Sequence, residues 1–334
     1  YAPFDFVAQK AGTQTKELRL IDAVADALDL AMEKHDDLIL MGQDIAEYGG
    51  VFKATEGLLE KYGKERVRNT PLCEAAIVGT SLGLSINGQK AMMEMQFADF
   101  VSEGFNQIVN NLAKIHWRWG QNADVVVRMP TGAGVAAGPY HSQSNEAWFT
   151  HIPGLKVAYP SNPTDAKGLL LTAFEDPNPV MFFEHKALYR SINEEVPEGY
   201  YNLPFGQANL VAEGERISII TYGMGVHWAK AICAEMDLHA DILDLRTLVP
   251  LDWNSIYESA KKCGRVLVLH EDTLFGGIGG EIAAGINEHC FEYLDAPVKR
   301  LASLDTPVPF ASKLEDQFLA KHRLKETLFS LLEY

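Results

Sequence analysis

Apolar side chains recur at helical spacing over residues 18–32 and cluster in short unbroken runs at 38–41 and 91–95. The first pattern predicts an amphipathic helix, and the second predicts strands buried on both faces. The alternation continues with a helix over 55–62, a small-residue helix that follows Asn69-Thr70-Pro71 and reaches residue 86, and a long helix over 97–115. On that long helix Phe97, Phe100, Val101, Phe105, Ile108, Leu112 and Ile115 form one stripe. Strands follow at 125–128, 156–158 and 180–183, with a helix over 166–174. Between residues 194 and 205 the pattern lapses into Glu-Glu-Val-Pro-Glu-Gly-Tyr-Tyr-Asn-Leu-Pro, with two prolines and no period, which reads as a linker. Beyond it, strands at 217–221, 240–245, 266–270 and 298–302 alternate with helical stretches at 226–236, 253–261, 280–289 and 314–332. This is the rhythm of βα units. It predicts an α/β fold in two domains, each a largely parallel sheet flanked by helices: an extension over 1–15, a first domain over 16–193, a linker over 194–207 and a smaller second domain over 208–334.

Charge then removes several classes of function. The 334 residues carry 29 Lys and Arg against 45 Asp and Glu, a formal charge of −16. Binding to nucleic acid draws on cations that neutralise phosphates, so a nucleic-acid partner is not expected. No stretch approaches the roughly 18 to 20 apolar residues that span a bilayer. The start, Tyr1-Ala2-Pro3-Phe4-Asp5, lacks the basic segment and apolar run of a secretory signal. A soluble chain with no membrane partner is the expectation. Because the sequence does not begin with Met, a removed targeting segment or an upstream domain stays open. Cys73, Cys233, Cys263 and Cys290 are too scattered for a disulfide scaffold, and none has CxxC spacing, so free thiols are expected.

Three motifs invite readings that their context does not support. Gly79-Thr80-Ser81-Leu82-Gly83 matches the GxSxG nucleophile elbow, but Glu74-Ala75-Ala76-Ile77-Val78 before it continues one helix, whereas the elbow needs a strand and a sharp turn. Small residues at a close helix contact explain it better. The glycines of Gly132-Ala133-Gly134-Val135-Ala136-Ala137-Gly138 are misspaced for a dinucleotide loop, and Pro139 blocks an immediate helix. A mobile or close-approach loop is the plainer reading. Gly276-Gly277-Ile278-Gly279-Gly280 also misses that spacing and reads as a tight strand-to-helix turn.

Distributed agreement elsewhere is more specific. Gly50-Val51-Phe52-Lys53-Ala54-Thr55-Glu56-Gly57-Leu58, Tyr62-Gly63-Lys64-Glu65-Arg66-Val67-Arg68-Asn69-Thr70-Pro71-Leu72-Cys73-Glu74, Glu94-Met95-Gln96-Phe97-Ala98-Asp99-Phe100, Tyr140-His141-Ser142-Gln143-Ser144, Pro153-Gly154-Leu155-Lys156-Val157, Asp165-Ala166-Lys167-Gly168-Leu169-Leu170 and Asp305-Thr306-Pro307-Val308-Pro309 occur in this order. Together they resemble the β subunits of the thiamine-diphosphate-dependent 2-oxoacid dehydrogenases (the E1 component), within the transketolase-like family. The resemblance implies a pyrimidine-binding first domain and a transketolase-type C-terminal domain. It also implies decarboxylation of a 2-oxoacid on thiamine diphosphate and reductive acylation of a lipoyl group on the acyltransferase (E2). The motifs around Asn69, Gln96 and Tyr140 look most like the branched-chain type; pyruvate and acetoin dehydrogenase β subunits are the alternatives, and a non-catalytic assembly subunit of the same fold is the alternative from a different class. The family grips the diphosphate and its Mg²⁺ with Gly-Asp-Gly followed by Asn-Asn on an α subunit. This sequence has no Gly-Asp-Gly. An α subunit in an α₂β₂ heterotetramer, or an α half of a fused chain, is therefore implied. So is a cytoplasmic location in a bacterium, or the mitochondrial matrix in a eukaryote.

The resemblance assigns roles residue by residue. Glu74 matches the glutamate that pairs with N1′ of the aminopyrimidine; its neighbours Leu72, Cys73, Ala75 and Ala76 suggest a dry setting, with a first-turn glutamate favoured by the helix dipole as the plain reading. Phe100 matches an aromatic that stacks on the pyrimidine, and Gln96 a residue lining the same pocket. His141 matches a histidine near the reacting thiazolium, while His151, His185 and His270 read as structural. Gly42-Gln43-Asp44 departs from the family's Gly-Glu-Asp, which puts in doubt a proton route between sites; Glu94 keeps the other matching carboxylate. Some relatives hold K⁺ through backbone oxygens at positions matching Ala123, Val125, Val126, Ala173, Asp176 and Asn178; Asp176-Pro177-Asn178-Pro179 is equally a simple turn. The net acidity suits a salt-sensitive contact with a basic segment of the acyltransferase, and the 97–115 stripe is a candidate face for another subunit.

Overall fold

The computed structural model describes all 334 residues, and they divide into two compact units. The first comprises residues 1–131 and 148–205, the second residues 132–147 and 206–334.

In the first unit, β1 (Thr15–Arg19) leads into α1 (Leu20–Lys34), whose Leu20, Ile21, Ala23, Val24, Ala27, Leu28, Ala31 and Met32 are buried, the three-and-four spacing of an amphipathic helix. Then come β2 (Ile39–Gly42), α2 (Leu58–Tyr62), β3 (Val67–Asn69), α3 (Glu74–Ile86), β4 (Ala91–Glu94), α4 (Val101–Gln107), α5 (Ile115–Trp119), β5 (Val125–Thr131), α6 (Ala147–Thr150), β6 (Lys156–Ala158), α7 (Pro163–Glu175), β7 (Val180–His185) and β8 (Asn193–Pro197). Six strands pair in parallel in the order β6-β7-β5-β4-β2-β3. Every residue of β2, β4, β5 and β7 is buried, which is why these strands read as continuous apolar runs. α7 starts on a proline after Asn162, whose side chain accepts the Asp165 amide at 2.8 Å, a favoured helix start. Nearly all its residues are buried, with α1 among its neighbours.

The second unit holds β9 (Asn209–Ala212), β10 (Ser218–Thr221), α8 (Met224–Met236), β11 (Asp241–Asp244), β12 (Thr247–Val249), α9 (Trp253–Cys263), β13 (Val266–Thr273), α10 (Gly279–Cys290), β14 (Lys299–Ser303), α11 (Ser312–Phe318) and α12 (Lys321–Leu332). Its sheet runs β14-β13-β10-β11-β9, parallel except for β9 at the edge. Ile219, Ile242, Leu267, Leu269, Leu324, Leu328 and Leu331 centre the core of this unit.

Three readings change and the expectation for the cysteines holds. Residues 193–197 form β8, paired antiparallel with β1 from Arg19↔Asn193 to Thr15↔Pro197; both strands are largely polar, and partners 174 to 182 residues apart lie beyond the reach of local periodicity. The helix over 97–115 is a 3₁₀ turn (Ala98–Phe100), α4, a π turn (Ile108–Leu112) and α5. Val101, Ile108, Leu112 and Ile115 of its stripe are buried within this chain, while Phe97, Phe100 and Phe105 are half-buried. The helical tract at 314–332 breaks at Leu319-Ala320 into α11 and α12. The four cysteines are free, three of them buried.

Candidate active site

Strand order locates a crevice in the first unit. From β2 the chain moves to β3 on one side and then to β4 on the other, and in a parallel sheet such a reversal opens a cleft beyond the carboxyl ends of the strands. Gln43 follows β2, Glu74 opens the helix after β3, and Gln96 and Phe100 follow β4. The Gln43 Nε2 donates to Glu74 Oε1 at 2.9 Å, and the Gln96 Nε2 donates to Asp44 Oδ2 at 3.2 Å. Gln43 is buried and its Oε1 has no partner. Phe100 is half-buried, its ring edge-on to Phe97 at 5.6 Å between centroids, and Phe97 meets Phe52 in the same way at 5.5 Å.

Glu74 is half-buried, and its surroundings are wetter than the sequence suggests: Leu72 is 81% exposed, and Ala75 and Ala76 are exposed too. The dry setting expected for this carboxylate is not supplied within the chain. Along α3, Ser81 is buried and its hydroxyl donates to the Ile77 carbonyl at 2.9 Å, so the GxSxG match is an ordinary helix interior. A Cβ at Gly83 would meet nothing within 4 Å, whereas one at Gly79 would lie 3.8 Å from Gln107 Oε1 and one at Gly104 of α4 3.1 Å from Val78, so α3 approaches α4 on the Gly79 side and not at Gly83.

The Gln43–Glu74 contact was not foreseen. An amide beside Glu74 replaces what in a Gly-Glu-Asp sequence would be a second carboxylate. In a Gln43→Glu chain two carboxylates would adjoin and share a proton, and one carboxyl group should titrate above the ordinary carboxylate range in a carbon-13 NMR titration. A titration identical to that of the parent chain would refute the pairing.

A buried network lies behind this edge. Arg128 on β5 reaches Glu184 on β7 with Nε at 2.7 Å and Nη2 at 2.6 Å, and Glu94 on β4 with Nη1 at 2.6 Å. The Tyr189 hydroxyl donates to Glu184 at 2.6 Å. One guanidinium thus faces two carboxylates. Burial raises the Glu94 pKa, against the lowering effect of Arg128. In the sequence Arg128 stands only as the end of a strand run, yet Arg128, Glu94, Glu184 and Tyr189 are all buried.

The candidate cation turn satisfies itself. Asp176 Oδ1 accepts the Asn178 amide at 3.0 Å and its Nδ2 at 2.8 Å, and Oδ2 pairs with Lys156. Asn178 Oδ1 accepts the Ala2 amide at 2.7 Å. These side chains are therefore engaged, and the Ala123 carbonyl accepts the Val125 amide at 2.8 Å; only further lone pairs of main-chain oxygens remain for an ion. Ala173 lies in α7, and Val125 and Val126 begin β5.

His141 belongs to the second unit, on the loop over residues 132–147. It is half-buried, and its amide donates to the Gly138 carbonyl at 3.3 Å. His270, read as structural, is fully buried and stacked on Tyr222 at 6.3 Å and 11°; burial pushes its pKa down to about 4. The glycine cluster is explained by that ring: a Cβ at Gly277 would lie 2.5 Å from His270 Cε1, and one at Gly279 2.8 Å from Nε2.

Residues 16–191 match the family described as transketolase, pyrimidine binding domain, and residues 206–323 the one described as transketolase, C-terminal domain. The chain belongs to this transketolase-like family and, within it, to the β subunits of the thiamine-diphosphate-dependent 2-oxoacid dehydrogenases. It is 47% identical to the 2-oxoisovalerate dehydrogenase subunit beta of Bacillus subtilis over 90% of this chain and 93% of that one. It is 41% identical to the mitochondrial 2-oxoisovalerate dehydrogenase subunit beta 2 of Arabidopsis thaliana over 96% and 90%. The pyruvate dehydrogenase E1 component subunit beta of Bacillus subtilis is 40% identical over 95% and 99%. Among solved structures, a split-gene transketolase described as an inactive beta4 tetramer superposes with a TM-score of 0.75 at 20% identity, covering 95% of this chain and 98% of that one; this likeness concerns the fold. No helix is long and apolar enough to cross a membrane.

Proposed function

We propose that this chain is the β subunit of a branched-chain 2-oxoacid dehydrogenase which, with an α subunit, decarboxylates the 2-oxoacid on thiamine diphosphate and reductively acylates the lipoyl group of the acyltransferase. The observation that carries it is the Gln43–Glu74 pair at the strand-end crevice of a pyrimidine-binding domain. These residues fit the cofactor: a carboxylate held by one amide, beside a buried amide oxygen with no partner. When bound, thiamine diphosphate supplies the electron sink that makes loss of carbon dioxide feasible. Glu74 holds a proton at the pyrimidine N1′ and Gln43 fixes the rotamer that presents it. Phe100 offers a ring face for stacking, and Gln96 lines the same strand ends. His141 carries a proton where the acyl group is handed to the lipoyl arm, a task suited to an imidazole near neutral pH. The diphosphate and Mg²⁺ fall to the α subunit in an α₂β₂ assembly, for which exposed Leu72 and the open face of α3 are suitable surfaces. A structural K⁺ would rest on main-chain oxygens of Ala123, Val125, Val126, Ala173, Asp176 and Asn178. The second reading, a pyruvate-acting β subunit, draws on the 40% identical relative. The compartment is the cytoplasm in a bacterium and the mitochondrial matrix in a eukaryote.

The test is reconstitution with a Gly-Asp-Gly-bearing α chain, supplying a branched-chain 2-oxoacid or pyruvate and a lipoylated acceptor. Thiamine-diphosphate-dependent turnover should appear only in the mixture and should favour the branched substrate. Micromolar cofactor binding by the isolated chain in a calorimetric titration would sink the shared-site idea. In the same mixture His141→Ala should keep cofactor affinity and slow lipoyl acylation about 100-fold; an unchanged rate would remove its role.

A further inference from the structure

The glycine loop 132–138 fits no nucleotide-binding pattern, yet its backbone is built for an anion. Positive φ recurs at every second residue: Gly132 +92°, Gly134 +88°, Ala136 +54° and Gly138 +74°. Left-handed residues interspersed in a loop can turn nearby N–H groups toward one side and make a concave anion cradle, and here the Gly134 and Ala136 amides converge on one carboxylate. That cradle already holds an anion from this chain. Glu315 on α11 accepts the Gly134 amide at 3.0 Å and the Ala136 amide at 2.9 Å. Its carboxylate is buried, and those two backbone amides are its hydrogen-bond partners, with no cation paired to it. Ala136 pays for a left-handed backbone without being glycine, a conformation that persists only where the surroundings impose it.

The rest of the loop is pinned to the same unit. Glu271 Oε1 accepts the Ala133 amide at 2.6 Å and the Ser144 hydroxyl at 3.2 Å. The Gly132 amide closes the loop on the Gln143 carbonyl at 3.1 Å. Gly138 has φ +74°, and a Cβ there would lie 2.2 Å from the Phe310 ring, so any side chain would have to displace that ring and adopt a left-handed backbone. One helical turn after Glu315, Phe318 packs with Ala133, Val308 and Leu319. His141 follows directly, its amide on the Gly138 carbonyl.

We propose that Glu315 is a positioning residue for His141: its carboxylate is the built-in anion around which the 132–138 loop folds, and it thereby sets where the imidazole stands. This rests on the reading of His141 as a proton carrier. Removing the carboxylate leaves the cradle's N–H groups without their acceptor and frees the left-handed Ala136, so the loop should open.

The test is hydrogen exchange of the full chain, paired with the reconstituted assay. In Glu315→Ala the Gly134 and Ala136 amides should exchange about 100-fold faster, the loss expected when local opening replaces a held conformation. Lipoyl acylation should fall at least about tenfold, with cofactor affinity unchanged. Added acetate or formate should slow the exchange again and restore part of the rate, because a small carboxylate fits the emptied cradle; a structural defect elsewhere would not respond to it. Glu315→Gln, which keeps an acceptor oxygen and the side-chain volume, guards against misfolding of the alanine variant and should fall between. Parent-like exchange at Gly134 and Ala136 in both variants overturns the proposal. Faster exchange with an unchanged acylation rate overturns the link to His141. If His141→Ala itself proves silent, the catalytic reading fails while the exchange and acetate results still judge the cradle.

Discussion

Glu74→Gln in the reconstituted enzyme should lower turnover by about 1,000-fold, within the range that a positioned acid or base contributes. The substitution preserves volume and the contact with Gln43, since a glutamine oxygen can still accept the amide now donated at 2.9 Å. It removes the ability to exchange a proton with a ring nitrogen. Glu74 is half-buried at the head of α3, with exposed Leu72, Ala75 and Ala76 around it, so loss of its charge should move the unfolding midpoint of the chain very little; surface substitutions of this kind usually stay within about 0.5 kcal/mol. A variant that turns over within tenfold of the parent would remove Glu74 from the chemistry. One that unfolds far earlier would make it a structural residue instead.

The largest stability effect is expected at Arg128. Arg128→Met should destabilise the chain by about 3 to 5 kcal/mol, because it leaves two buried carboxylates without their cation. The arginine and Glu184 side chains are 1% and 0% exposed, Glu94's is 3%, so water cannot replace the lost pairing. Glu94→Gln should cost much less, since it leaves the two-pronged Arg128–Glu184 pair intact and removes the surplus negative charge. The same surplus predicts a pH effect. Burial raises the pKa of Glu94 above its ordinary 4.5, so its ionisation works against the folded state. The stability that this group confers is full below about 4.5, the unfolded value, and is lost as pH rises through the higher folded value. Glu94→Gln should flatten that part of the curve. Urea midpoints at constant m across pH measure both, and an Arg128→Met chain within 1 kcal/mol of the parent would refute the network's role.

What could be read in advance followed from range. β2, β4, β6 and β10 lie within a residue or two of their apolar runs because a strand buried on both faces is largely apolar. α1 was legible because its buried stripe repeats within the helix. β1 and β8 were missed because they are polar and pair across the chain. The 97–115 tract reads as one long helix, since the sequence offers no proline where the π turn interrupts it. Glu74, Phe100, Gln96 and His141 were named from motif resemblance, and their functional roles stay with the experiments above. Arg128, Glu271 and Glu315 carried no sequence signal, because a charge in a sequence does not announce whether it is buried.

By itself the sequence determined the alternating α/β pattern, the want of a Gly-Asp-Gly and the acidic balance, since each depends on composition or on neighbours within a few residues. Only the tertiary structure decided that Gln43 holds Glu74, that one arginine serves two buried carboxylates, and that Glu315 fills the loop it reaches from 179 and 181 residues away. Those contacts depend on which strands and helices lie side by side, and that adjacency is a property of the folded core.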